Sequence, residues 1–189
     1  RGLNPYIEDV ARRLAKAGFI AFAPDALWPL GGYPGNDDDG RAMQRSLEPA
    51  KIVADLTAAA KWLKQLEGGS GKLGVVGFCF GGAMTGRLAA ELPNVVDAGV
   101  PFYGSPPVAD SIANIKAPLL VQLGELDERV NQQWPAAEEL FKQHKVDYKI
   151  EMYPASHHVF HNDSTALYNK ETAELAWQRT LAFFRQHLS

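Results

Sequence analysis

The sequence is almost without cysteine. Cys79 stands alone among 189 residues, so no intramolecular disulfide is available and the core must hold without staples. Excess charge of one sign is also lacking. Nineteen lysines and arginines face 22 aspartates and glutamates, a formal net charge of -3. Without a cationic surplus there is no electrostatic pull towards nucleic acid or anionic lipid. No apolar run approaches the ~20 residues of a membrane-spanning helix, and no signal-peptide pattern is visible. Repeats and low-complexity stretches are absent. A starting methionine is absent too: Asn4-Pro5 already reads as a helix start. The expectation is that something precedes residue 1 in the gene product.

What remains is ordinary globular composition. Hydrophobic residues make up 46% and charged residues 22%, which argues against disorder and coiled coil. A chain of this length buries roughly 70% of its unfolded surface around one core, so a single domain over 1–189 is expected.

Periodicity divides the chain into alternating elements. Asn4 suits an N-cap and Pro5 a first helical position, and Ile7, Val10, Ala11 and Leu14 follow at helical spacing up to Gly18. Phe19–Ala23 is a short continuous apolar run and reads as a strand buried on both faces. Residues 26–47 show no clear period and read as a long loop. Helices are expected over 48–66, 82–92, 134–144 and 170–187. Strands are expected over 72–78, 95–103, 117–123 and 147–153. Apolar strands alternating with amphipathic helices imply an α/β fold, a mostly parallel sheet with helices on both faces. Sites in such folds gather beyond the carboxyl ends of the strands.

The most informative stretch is Gly77-Phe78-Cys79-Phe80-Gly81-Gly82, a G-x-C-x-G sequence between a strand and a helix. A nucleophile elbow is usually G-x-S-x-G, with cysteine able to replace serine. The sharp turn needs small neighbours two residues away on each side. The helix N-terminus favours a thiolate, and the Phe80 N–H is placed to donate into an oxyanion hole. A lone cysteine is more often a buried, inert one, but this context favours a nucleophile.

A cysteine nucleophile needs a base, and the base an orienting acid. In the order nucleophile, acid, histidine, the acid should follow a later strand. Asp127 is the best candidate, with Glu125 and Glu128 as rivals. The histidine should lie on the loop after the last strand, where His157, His158 and His161 cluster. Spacing alone does not separate His157 from His158. An H-H-x-x-H metal site lacks the spacing of a zinc helix, so no metal and no cofactor is expected. Trp28, Tyr103 and Arg41 are the candidate substrate-binding residues.

These segments resemble one family. Arg1-Gly2-Leu3-Asn4-Pro5, Ala23-Pro24-Asp25, the Cys79 elbow, Pro101-Phe102-Tyr103-Gly104, Glu125-Leu126-Asp127 and His158-Val159-Phe160-His161-Asn162-Asp163 are similar to the dienelactone hydrolases (carboxymethylenebutenolidases) of the α/β-hydrolase superfamily. They also resemble the bacterial YghX-like branch of that family, through Asn162-Asp163 and Ala176–Leu181. The resemblance implies an α/β-hydrolase domain shortened at its N-terminus, without its first strands. It implies Cys79 as nucleophile, Asp127 as acid and His158, which precedes Val159-Phe160, as base. It further implies hydrolysis of a lactone or activated ester through a thioester.

Two departures stand out. The family's glutamate before Arg-Gly-Leu-Asn, and the neighbour that gives a second oxyanion N–H, lie outside the chain. The arginine that binds substrate carboxylate four residues after the histidine is Asn162 here, and Arg41 or Arg45 is the candidate for the family's other one.

The competing readings are an amidotransferase or DJ-1-like cysteine enzyme, and a binding protein on a hydrolase scaffold. No histidine lies between Cys79 and His144, which disfavours the DJ-1-like version. The expected partner is a small-molecule ester or lactone, with no nucleic acid and no membrane. A free thiol is compatible with the cytoplasm.

Overall fold

The computed structural model describes residues 1–189. They form two compact units, Arg1–Gly69 and Ser70–Ser189.

In the first unit, α1 spans Pro5–Lys16. Asn4 caps it by accepting from the Ile7 N–H, and Tyr6 and Val10 are buried. The run Phe19–Ala23, expected as a buried strand, forms none. The unit contains no other strand to complete a ladder, and Ile20 and Phe22 are half exposed. An apolar run supplies side chains to bury but cannot supply its own hydrogen-bonding partner. Phe22 instead packs edge-on against Trp62, with ring centroids 5.1 Å apart.

The expected loop at 26–47 is also corrected. It holds a short 3-10 turn at Trp28–Leu30 and a full helix, α2, at Asp37–Ser46. Helix α2 has little apolar face; its order comes from its ends. Asn36 caps the Asp39 N–H, and Asp37, Asp38 and Asp39 sit where the helix dipole favours negative charge. Asp37 also accepts from Arg1, Asn4 and the Tyr33 hydroxyl. Asp25 fixes the preceding turn by accepting from the N–H groups of Leu3, Leu27 and Tyr33. Helix α3 then spans Pro49–Lys64.

The second unit carries the sheet. Strands β1 (Gly74–Phe78), β2 (Ala98–Phe102), β3 (Leu119–Gly124) and β4 (Tyr148–Tyr153) lie in that spatial order, all parallel. The two central strands are wholly buried, as their continuous apolar runs require. Helix α4 (Phe80–Glu91) connects β1 to β2. Helices α5 (Glu128–Asn131) and α6 (Trp134–Gln143) connect β3 to β4, and α7 (Lys170–Leu188) follows β4.

Glycines show which helix covers which face. A Cβ on Gly74 would stand 2.7 Å from Leu188 and 2.8 Å from Phe184 of α7. One on Gly77 would run into the Gly81 carbonyl and Thr85 of α4. Residues 74 and 77 point to opposite sides of a strand, so α4 and α7 cover opposite faces. On the α7 side the buried Gln122 is satisfied. Its amide donates to the Ala176 carbonyl and Thr180 hydroxyl at 3.0 Å each, and its oxygen accepts from the Tyr153 hydroxyl.

Candidate active site

The site is assembled where β1, β3 and β4 end. Cys79 follows β1 directly, with φ 56 and ψ -111, a conformation that L-residues adopt only when the surroundings impose it. Those surroundings are visible. The Cys79 N–H donates to the Phe102 carbonyl at 3.0 Å, and its own carbonyl accepts from the Ala83 N–H in the first turn of α4. Gly77 has no room for a Cβ beneath the Gly81 carbonyl, and Gly82 none beside the Phe102 carbonyl and Gly104. Gly81 itself faces open space. The sequence reading asked for a small residue at both flanking positions. The packed pair is Gly77 and Gly82, while Gly81 matters through its backbone.

Strain is concentrated here. Of the five non-glycine residues with positive φ, Cys79, Tyr103, Ala155 and Val159 stand on the loops that form the site.

Asp127 is 5% exposed and uses its two oxygens separately. One accepts from the Val130 N–H as the N-cap of α5. The other lies 2.5 Å from His158 Nδ1. His158 Nε2 is 3.2 Å from Cys79 Sγ. The rival acids stand elsewhere: Glu125 accepts from the Ala155 N–H, and Glu128 is an exposed first-turn residue of α5.

The three clustered histidines have different surroundings. His157 is exposed, while His158 bridges Asp127 and Cys79. His161 is 1% exposed among aromatic rings, stacked 5.2 Å from Phe78. Asn162, where the family's arginine would stand, is buried and accepts from the Ser164 N–H and hydroxyl, closing a turn.

The charges of the pair are coupled. Burial pushes the Cys79 thiol up. The hydrogen bond and charge of His158, the Phe80 N–H and the positive Arg129 outweigh it, so the thiol lies below its ordinary range. For His158 the bond to Cys79 raises the imidazole most, burial opposes, and Asp127 raises it further; the net direction is up. A depressed thiol beside an elevated imidazole favours the thiolate–imidazolium form. Such a sulfur can attack a carbonyl carbon, and such an imidazolium can return a proton to a leaving group.

The expected substrate-binding residues fare differently. Tyr103, expected to line the substrate, is 1% exposed and packs edge-on against the His158 ring at 5.2 Å. It backs the imidazole instead of offering a free face. Trp28, 77% exposed, and the exposed Arg41 belong to the first unit. The Phe80 N–H faces the Cys79 sulfur, and the Phe80 ring is 41% exposed. Sequence reasoning missed the supports of the histidine loop. Ser156 bonds to the Thr172 hydroxyl at 3.0 Å, and Asn169 reaches Ser156 while capping α7. An Asn-x-x-Thr cap before an apolar helix was the available signal for Asn169.

Comparison with known proteins gives the family. The dienelactone hydrolase family model matches residues 1–188. A Bradyrhizobium protein described as a probable 2-oxo-3-(5-oxofuran-2-ylidene)propanoate lactonase is 33% identical over 99% of this chain and 80% of its own. The candidate hydrolase fragment YghX of Escherichia coli K12 is 71% identical over 49 residues, 26% of this chain and 42% of its own. The crystal structure of a Klebsiella pneumoniae protein, described as a candidate dienelactone hydrolase, superposes with a TM-score of 0.85. It is 29% identical, covering 98% of this chain and 83% of that one. With this match over nearly its whole length, the chain belongs to the dienelactone hydrolase family and is an enzyme that hydrolyses lactones or carboxylic esters.

Proposed function

We propose that the enzyme cleaves a small lactone or carboxylic ester through Cys79, His158 and Asp127, by way of a thioester acyl-enzyme. The observation that carries this reading is the bridging imidazole, with Nε2 3.2 Å from the Cys79 sulfur and Nδ1 2.5 Å from Asp127. His158 takes the thiol proton, and the sulfur attacks the ester carbonyl carbon. The carbonyl electron pair moves onto oxygen, where the Phe80 N–H stabilises it. The pair returns as the carbon–oxygen bond to the leaving group breaks, and His158 protonates the departing alkoxide. Water, losing a proton to the same histidine, then attacks the thioester carbon; the carbon–sulfur bond breaks, its electron pair returns to Cys79 as thiolate beside the imidazolium, and the acid leaves. Asp127 fixes the tautomer and supports the imidazolium. A cytoplasmic setting belongs to the same reading, because a reducing compartment keeps the single thiol unoxidised.

Hydrolysis of 4-nitrophenyl acetate by wild type and Cys79→Ala is the test. Turnover should fall about a thousandfold or more in the variant, because the residues of a triad act as a unit. Mass spectrometry of quenched wild type should show one acetyl group on Cys79. Equal rates in both proteins would overturn the reading.

A further inference from the structure

The loops after β3 and β4 are joined by more than the Asp127–His158 pair. The Leu126 N–H donates to the Ser156 carbonyl at 2.9 Å, and the Glu125 N–H to the Tyr153 carbonyl at 3.0 Å. Gly124 permits this approach: a Cβ there would stand 2.5 Å from the Ser156 oxygen and 2.8 Å from the His157 oxygen. In the return direction, the Ala155 N–H donates to the Glu125 carboxylate at 2.8 Å. Asn131, on α5, closes the acid loop from behind by donating to the carbonyls of Gly124 and Glu125 at 2.8 and 3.2 Å.

Ala155 itself has φ 50, three residues before His158. A non-glycine residue in that region persists only where neighbours hold it. The hydrogen bond from its N–H to Glu125 supplies one such hold.

The geometry points to Glu125 as a positioning residue that clamps the backbone of the histidine loop to the acid loop. The imidazole then keeps its place between Asp127 and Cys79. This rests on His158 being the base, as proposed above. Glu125 touches no reacting atom. What the clamp requires is an acceptor for the Ala155 N–H, which glutamine also provides and alanine does not.

Glu125→Ala and Glu125→Gln, compared with wild type, test it through ester turnover, Cys79 alkylation by iodoacetamide at pH 6, and melting temperature. In Glu125→Ala, kcat should fall about tenfold with KM within about twofold, because misplacing a catalytic group costs rate more than binding. Alkylation should slow about threefold as His158 loses its hold on the thiolate. Glu125→Gln should stay within about twofold of wild type in both assays, as its amide oxygen still accepts the bond. Wild-type rates in Glu125→Ala, losses that only follow a lowered melting temperature, or a Glu125→Gln as slow as Glu125→Ala would each overturn the clamp. Alkylation needs no substrate. A wild type that hydrolysed no ester would therefore count against the proposed chemistry, while the clamp would still be read.

Discussion

The turn that carries Cys79 and the loop that carries His158 hold their residues in different ways. The first is held by lack of space. Gly77 and Gly82 let backbone meet backbone, and no polar side chain is needed to keep Cys79 at φ 56. The second is held by side-chain hydrogen bonds. Ser156, Thr172, Asn169 and Glu125 anchor a loop that has two strained residues of its own, Ala155 and Val159. Steric constraint tolerates no added atom, whereas a polar network can lose members one by one.

The most severe way to probe this contrast is Gly77→Ala. With no room for a Cβ beneath the Gly81 carbonyl, it should destabilise the protein by about 3 kcal/mol, read by urea unfolding. A change below about 1 kcal/mol would mean that the elbow can relax, which its packing argues against.

Next in size is the coupling between the two segments. The imidazole lowers the thiol, so wild-type alkylation should persist below the ordinary thiol range and fade only as pH drops through the depressed thiol pKa. His158→Gln removes the charge that sustains the thiolate. Its alkylation limb should move up in pH, with a rate at pH 6 lower by about tenfold. Superimposable profiles would show that the two segments are electrostatically independent.

Ser156→Ala strikes one member of the polar network. Loss of the buried bond to Thr172 should cost about 1 kcal/mol by the same unfolding measurement, and leave the thiol profile in place. Smallest is Gly81→Ala. Its Cβ meets nothing within 4 Å, so stability should change by no more than about 0.5 kcal/mol. A loss comparable with that of Gly77→Ala would erase the distinction between the two glycines.

The same contrast explains what could be read in advance. Strands β2 and β3 announce themselves as apolar runs because they are buried along their whole length. Their observed ends lie within about three residues of those expected, as is usual for element boundaries. The elbow is legible because close approach leaves glycine as the one acceptable residue. Helix α2 is not legible from periodicity, since capping and first-turn charge sustain it; the Asn36-x-x-Asp39 pairing was the available clue. The run Phe19–Ala23 misled because apolarity says nothing about a strand partner. His157 and His158 are adjacent, and spacing cannot choose between them; the left-handed turns at Ala155 and Val159 set which ring turns towards Asp127. In sequence Glu125 reads only as a rival acid, because its partner is a backbone N–H thirty residues away.

The parallel strands run in simple succession, and α7, which packs on one face of them, follows them all. On the ribosome this order becomes a timetable. Every strand leaves the exit tunnel before Ala176, Thr180 and Phe184 do. At ordinary rates of synthesis, the 35 residues from Tyr153 to Leu188 take on the order of seconds. During that interval the sheet can pair but Gln122 has no amide partner on α7, and Gly74 lies bare where Phe184 and Leu188 will settle. The nascent enzyme therefore has every residue of the bridging trio in hand before α7 settles on its face of the sheet.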